Sequence, residues 1–273
     1  MIHEAIQIES AKNARLKQLK KLRQRRFRRK YSRTIVDGKR EIVRAVEAGV
    51  RVEELFLSSD TFDAEDSNWL AQLQSQGTLV FRVSSELLLP YLFGERDEGC
   101  VAVTEIPHWR LEDLKLPKQP CVAVVERVEK PGNLGAILRS ADGAGIAAVI
   151  VADPATDLMN PNVIRASMGT VFSVPTCTAS IDDVLAWIGA NELQVVSTRV
   201  EATNLYHEID LTVATAIVLG NEADGLGERW QGASETAVRL PMFGVADSLN
   251  VSATAAVLFY EVMRQRSLAA TSE

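Results

Sequence analysis

A chain of 273 residues, 47% apolar and 24% charged, has enough apolar material for one large or two ordinary domains, which excludes disorder over most of its length. No apolar run approaches the roughly 18–20 residues that span a bilayer. The N-terminus lacks the apolar core of a secretory signal. The net charge of −6 hides an asymmetry, because residues 12–40 hold 14 Lys or Arg and one acid, Asp37, placing about +13 on a body of about −19. A basic stretch on an acidic protein is the footprint of a nucleic-acid partner or another anionic surface.

In chain order, residues 12–30 read as a helix of Lys, Arg, Gln and Leu. Its stripe of Leu16, Leu19 and Leu22 is too narrow for membrane insertion. A helix follows at 38–48, with Ile42, Val43 and Val46 on one face and Gly49 as its stop. Val52–Leu57 predicts a strand, 65–76 a helix, Leu79–Val83 a strand, 84–93 a short helix and Cys100–Thr104 a strand. This alternation describes a small α/β domain. Pro107, Pro117 and Pro120 with interspersed charges mark a linker over 106–120. Beyond it, apolar strands fit 121–126, 147–152, 193–198 and 214–219, and helices fit 133–144, 180–190 and 250–266. Continuous apolar strands such as AVIVA and AIVLG predict a parallel sheet covered on both faces.

Several chemistries are disfavoured by the residues. Pro131–Arg139 opens a helix with glycines but lacks the Lys-Ser or Lys-Thr of a triphosphate loop. Gly143-Ala-Gly145 is followed by Ile-Ala-Ala, which breaks the dinucleotide spacing. With only three histidines (His3, His108 and His207), no Ser-His-Asp set or zinc site is readable. Cys100, Cys121 and Cys177 stand singly and read as small, half-buried hydrophobes in a reducing cytosol.

Three segments carry more information. Asn133-Leu-Gly-Ala-Ile-Leu-Arg139 follows the strand ending near Glu126; Asn133 suits a helix N-cap, and helix N-termini favour anions. Leu219-Gly-Asn-Glu-Ala-Asp-Gly225 follows the strand AIVLG, at the strand end where α/β ligand sites gather. Gly220 there allows close backbone approach. Leu240-Pro-Met-Phe-Gly through Ser248-Leu-Asn-Val-Ser252 is a mixed apolar–polar loop leading into the last helix, which Ser248 or Asn250 could cap. Each segment also has an ordinary reading as a cap or turn. Their order and spacing together are far more specific.

Taken together they resemble the three signature motifs of the SpoU/TrmH family, the 2'-O-ribose branch of the SPOUT RNA methyltransferases. The likeness covers about 121–266, and Asn160-Pro161 through Arg165 to Gly169 is similar to the segment between the first two motifs. Residues 25–105 resemble, more weakly, the small α/β substrate-binding domain of many members, with Gly94-Glu-Arg through Val103 as its ending. The resemblance implies an α/β fold: a basic arm (1–24), a small α/β RNA substrate-binding domain (25–105), the linker, and a C-terminal parallel-sheet SPOUT domain (121–273) with a deep trefoil knot near 214–260. It implies a cytoplasmic homodimer acting on rRNA or tRNA with S-adenosyl-L-methionine, without metal or membrane. The cofactor would lie at Thr198, Gly220, Leu240 and Leu249. Arg139 would act on the 2'-hydroxyl with an RNA phosphate, oriented by Glu222, while Asn250, Ser248 and Asn133 shape the nucleotide site. Arg165, with Arg25, Arg26, Arg28 and Arg29, would meet RNA. Arginine, with a pKa above about 12, is a poor base; a site-perturbed Arg139 as base and Arg139 as clamp with the phosphate taking the proton both remain open. A base-methylating SPOUT enzyme and a noncatalytic RNA-binding or ribosome-assembly protein are the alternatives.

Overall fold

A computed structural model describes residues 5–58, 67–92, 99–221, 225–232 and 235–271. The chain divides into two compact units, residues 1–107 with 159–173, and residues 108–158 with 174–273.

The first unit contains β1 (Ile6–Ile8), α1 (Ala14–Leu22), α2 (Arg25–Tyr31), β2 (Arg33–Asp37), α3 (Lys39–Glu47), β3 (Val52–Ser58), α4 (Ser67–Ser75), β4 (Leu79–Val83), α5 (Ser85–Leu88) and β5 (Cys100–Glu105). The strands form one mixed sheet, ordered β1-β4-β3-β5-β2. Leu16, Leu19 and Leu22 repeat every three residues and are fully buried, packed with Ile35, Phe56, Phe81 and Val101. The basic segment is therefore no separate arm. Its leucines belong to the core of this unit, and β1 pairs in parallel with β4. The helix expected over 12–30 is two helices broken at Arg23–Gln24. Arg28 explains the break: its Nη1 donates to the carbonyls of Leu22 and Arg23, 2.9 Å each, which serve as acceptors at the end of α1. β2, hidden in the sequence by the flanking charges, pairs antiparallel with β5.

Residues 159–173 join this unit through side chains on β2 and α3. Thr34 Oγ1 donates to the Met159 carbonyl (2.7 Å), and Arg44 Nη1 to that of Met168 (2.5 Å).

The second unit is a seven-stranded, wholly parallel sheet, as the apolar runs predict. β6 (Cys121–Glu126), α6 (Pro131–Ala144) and β7 (Ala148–Ala152) come first; the excursion through α7 (Pro161–Ala166) and α8 (Thr170–Ser173) leaves the unit. The chain returns with β8 (Thr176–Ala179), α9 (Ile181–Ala190), β9 (Gln194–Thr198), β10 (Asn204–Leu205), β11 (Thr215–Leu219), β12 (Glu235–Arg239) and α10 (Val251–Ala270). The strand order is β10-β12-β9-β11-β6-β7-β8. The predicted linker is not loose from Trp109 to Leu116, because Leu111 enters this core and Trp109, Leu114 and Leu116 pack against it. Cys121 and Cys177 are fully rather than half buried, as is Cys100 in the first unit. Burial pushes the thiols of Cys121 and Cys177 up to about 12. Among the described residues, no helix is long and apolar enough to cross a membrane, and no three His, Cys, Asp or Glu side chains cluster as metal ligands would.

Candidate functional site

The strand order places a switch point in the second unit. From β6 the chain steps outward to β7 and β8 on one side, then returns to lay β9, β11 and β12 on the other. In a parallel sheet such a reversal opens a crevice at the carboxyl ends of the two middle strands, here β6 and β11. The segments that leave β6, β9, β11 and β12 therefore emerge at that end, and they include all three sequence motifs.

The first motif opens α6. Pro131 is the first helical residue, where its fixed φ and missing N–H cost nothing, and Lys130 occupies the cap position. Asn133 is thus inside the first turn and is not the N-cap the sequence suggests. Its side-chain oxygen accepts from Asn250 Nδ2 at 3.3 Å. Asn250 is the N-cap of α10: its Oδ1 accepts from the Ser252 backbone N–H at 2.9 Å and from the Ser252 hydroxyl at 2.7 Å. Between the two capping candidates the structure selects Asn250; the Ser248 hydroxyl donates instead to Asp247 (3.1 Å). The helices stay adjacent along their length, since a Cβ on Gly143 would lie 3.1 Å from the Tyr260 hydroxyl. With Asn133 beside Asn250 and Gly143 beside Tyr260, α6 and α10 run parallel and start together. Arg139, one turn before Gly143, is exposed and makes no hydrogen bond or ion pair among the described residues.

The second motif follows β11. Gly220 is obligatory there: a Cβ on it would sit 2.3 Å from both the carbonyl carbon and oxygen of Gly225, and 2.6 Å from the Leu226 nitrogen. The close approach that glycine permits is therefore to the returning loop, which also bridges Asn221 to Gly225. Glu222 lies outside the described residues, as do Gly94–Glu98 of the ending expected for the first domain.

The third motif spans Leu240 to Asn250. Among the described residues, the backbone of 241–249 makes no hydrogen bond. Leu240 is half-buried, while Leu249 and, more completely, Phe243 and Val245 are exposed. Thr198, at the end of β9, is half-buried, and its hydroxyl donates to the Val218 carbonyl of β11 at 3.3 Å. Unengaged backbone donors and acceptors between apolar side chains match the edge of a neutral heterocycle such as the adenine of S-adenosylmethionine. Thr198, Gly220, Leu240 and Leu249 are the residues that could hold it.

The expected RNA arginines divide. Arg26 and Arg29 are exposed, and Arg26 lies over the Phe27 ring, 4.6 Å from its centroid. Arg25 is half-buried. Arg28 is 2% exposed, with its guanidinium turned to backbone carbonyls, which rules it out as a surface phosphate contact. Arg165 is not a free contact either: its Nη1 is 2.5 Å from the buried Asp37 carboxylate.

Sequence reasoning passed over Glu126 and Arg199. Glu126, the last residue of β6, is buried and accepts through Oε2 from the Gly227 N–H (3.2 Å) and Trp230 Nε1 (2.8 Å). Arg199, just beyond β9, pairs with Glu235 at 3.0 Å and donates to the carbonyls of Leu226 and Gly227 at 3.3 Å each. A charged residue closing the otherwise apolar strand CVAVV was the available signal for Glu126. Arg199 had none, since its partners lie far away in sequence.

A parallel α/β sheet with a loop-built site at its switch point, flanked by two helices whose N-termini meet, defines a class of proteins that bind a small ligand beside the first strand. The chain belongs to the SpoU rRNA Methylase family, whose model matches residues 120–260. The MRM3-like substrate binding domain model matches residues 13–91. Among curated relatives, a 23S rRNA (uridine(2479)-2'-O)-methyltransferase of Streptomyces viridochromogenes is 32% identical, covering 94% of this chain and 92% of the relative. A crystal structure of an RNA 2'-O ribose methyltransferase is 40% identical, with a TM-score of 0.84 over 96% of this chain and 100% of that one. An AdoMet-bound rRNA methyltransferase from Sinorhizobium meliloti has a TM-score of 0.87 at 26% identity, over 95% and 98% of the two chains.

Proposed function

We propose that this protein is an RNA methyltransferase that transfers a methyl group from S-adenosylmethionine to a ribose 2'-hydroxyl, with ribosomal RNA as substrate. The observation that carries the reading is the Asn133–Asn250 contact. It joins the starts of two helices whose motifs are 117 positions apart, at the switch point where the third motif's backbone is unengaged. The names of the relatives at 32% and 40% identity support the reaction, and the 23S rRNA relative favours ribosomal over transfer RNA.

When bound, S-adenosylmethionine supplies a methyl made electrophilic by its cationic sulfur. The residues of the chain do the rest. Leu240, Leu249 and the backbone between them hold the cofactor, with Thr198 and Gly220 bordering it. Arg139, exposed and unpaired among the described residues, clamps an RNA phosphate with its two-pronged guanidinium and donates toward the 2'-oxygen, while the phosphate takes the proton. Asn133 and Asn250 fix the nucleotide, and the Ser248 hydroxyl supplies a further polar contact. Glu222 is assigned to orient Arg139 on its motif position. By holding the ribose in one orientation, these residues would supply much of the rate through alignment. Arg26 and Arg29, with Arg25, give sequence-independent phosphate affinity.

The finer features belong to the same proposal. Residues near 214–260 form a deep trefoil knot, the protein works as a cytoplasmic homodimer, and the reaction needs no metal. The exposed Tyr260, Met263 and Leu268 of α10 support a partner on that helix.

The test is methyl transfer from labelled S-adenosylmethionine to undermodified ribosomal and transfer RNA, followed by nucleoside digestion, with wild type and Arg139→Ala. Arg139-dependent label in a 2'-O-methyl nucleoside of ribosomal RNA is expected. Label on a base, or cofactor binding that no RNA converts to transfer, would overturn the assignment.

A further inference from the structure

Building on that reading, we propose that Glu126 and Arg199 are positioning residues for the cofactor side of the site. Their contacts are to the chain itself: they grip the Leu226–Gly227 peptide from opposite sides and set where that segment lies.

The grip is specific in its chemistry. The segment Leu226–Gly227 has one N–H and two carbonyls pointing at buried charge. The Gly227 N–H meets the Glu126 carboxylate at 3.2 Å. The carbonyls of Leu226 and Gly227 each accept from one terminal nitrogen of Arg199, both at 3.3 Å. An anion takes the donor and a cation takes the acceptors, so each partner fits only its own side of the peptide.

Both partners are themselves fixed. Trp230, 2% exposed and part of the core, donates its indole N–H to the same Glu126 oxygen at 2.8 Å. The Arg199 Nε donates at 3.0 Å to Glu235, which also accepts from the Ser197 hydroxyl. The side chains of Arg199 and Glu235 are 11% and 9% exposed, so water competes little for these bonds. A Cβ on Gly227 would lie 3.3 Å from Glu126 Oε1, so a side chain there would press on the carboxylate by a few tenths of an ångström.

The geometry connects this grip to the site. Residues 225–226 are the backbone against which Gly220 packs. Gly220 directly follows β11, which lies between β9 and β6, and Arg199 and Glu126 sit at the ends of those two flanking strands. The carboxyl ends of three adjacent strands therefore hold one loop. Releasing the grip displaces Gly220's neighbours without touching Arg139, Asn133 or Asn250, so cofactor binding should fail before RNA binding does.

The experiment compares wild type, Glu126→Ala, Glu126→Gln and Trp230→Phe. It measures calorimetric binding of S-adenosylhomocysteine, KM for RNA, and the melting midpoint. Glutamine keeps an oxygen acceptor where Oε2 receives both donors, so it serves as the rescue. Glu126→Ala is expected to weaken S-adenosylhomocysteine binding about tenfold, the size of one lost hydrogen bond to a charged group. The KM for RNA should stay within about twofold, well below that hydrogen-bond effect. Glu126→Gln should bind like wild type. If Glu126→Ala does not fold, Trp230→Phe, which removes the indole N–H and leaves a smaller aromatic ring, should weaken the same binding about threefold, a smaller neutral hydrogen-bond loss. Unchanged binding in the folded variants, an equal loss of RNA affinity, or a Glu126→Gln as impaired as the alanine would overturn the inference. Wild-type protein that binds no S-adenosylhomocysteine would take down the methyltransferase reading and this inference with it; wild-type binding with an unaffected Glu126 series sinks the inference alone.

Discussion

Replacing Gly220 with alanine adds one methyl group at the most crowded point of the site. The new Cβ would lie 2.3 Å from the Gly225 carbonyl carbon and oxygen, where ordinary contact begins near 3.4 Å, so the loop must retreat by about 1 Å. The obstacle is backbone, which cannot rotate away as a flexible side chain would. Overpacking of this kind costs roughly 1–3 kcal/mol, which in a protein of this size lowers the melting midpoint by roughly 2–12 °C. On the proposed cofactor site, a displacement of about 1 Å would also cost on the order of a hundredfold in rate. Calorimetry with S-adenosylhomocysteine, methyl-transfer rates and thermal melting would be run on Gly220→Ala and on Gly189→Ala. Gly189 is exposed on α9 with nothing within 4 Å of a new Cβ, so its alanine variant should be neutral or slightly stabilised by about 0.5–1 kcal/mol. A Gly220→Ala protein that melts, binds and turns over like wild type would refute the close-approach reasoning.

The two neighbouring arginines of α2 should behave oppositely. Arg28→Ala leaves the Leu22 and Arg23 carbonyls without their donor and is expected to destabilise by about 1–3 kcal/mol in urea unfolding; exposed Arg29→Ala should leave stability unchanged and shallow the salt dependence of RNA binding by about 0.7–0.9 in log–log slope. The reverse pattern would mean that α2 is oriented differently. Cys121 and Cys177, with thiols pushed up to about 12 by burial, should resist alkylation at pH 8 in the folded protein and react fully in denaturant; rapid native labelling would contradict their packing. The Glu261 carboxyl is held below its usual range first by the Arg264 hydrogen bond, with Gln265 and the charges of Arg264 and His207 assisting. Its stabilisation is therefore present above the unfolded carboxylate pKa of about 4.3 and lost as pH falls through the lower folded value. The stability gap between wild type and Glu261→Gln, measured by urea midpoints, should be largest at neutral pH and shrink toward pH 3; a gap that grows in acid would reverse that sign.

Much of the second unit was legible because its signals are local. Parallel strands buried on both faces must be nearly continuously apolar, and CVAVV, AVIVA and AIVL are. Motif order pointed to Asn133, Arg139 and Asn250 before any contact was known. Strands flanked by charge or set at an edge, RTIVD of β2 and ETAVR of β12, were missed because their pairing depends on partners elsewhere in the chain.

What the sequence determined by itself was therefore composition, periodicity and motif pattern: an α/β chain with a parallel sheet, a basic segment and three motifs that mark a candidate site. The tertiary structure decided direction. Positive charge in residues 12–30 looks uniform in sequence, yet packing turns Leu16, Leu19, Leu22 and Arg28 inward and leaves Arg26 and Arg29 outside. It made Asn250 the cap and Asn133 its partner, seated Gly220 against its own loop, and recruited Glu126 and Arg199 to hold that loop. A residue's type fixes which bonds it can form, but only the folded chain brings groups from distant positions close enough to form them.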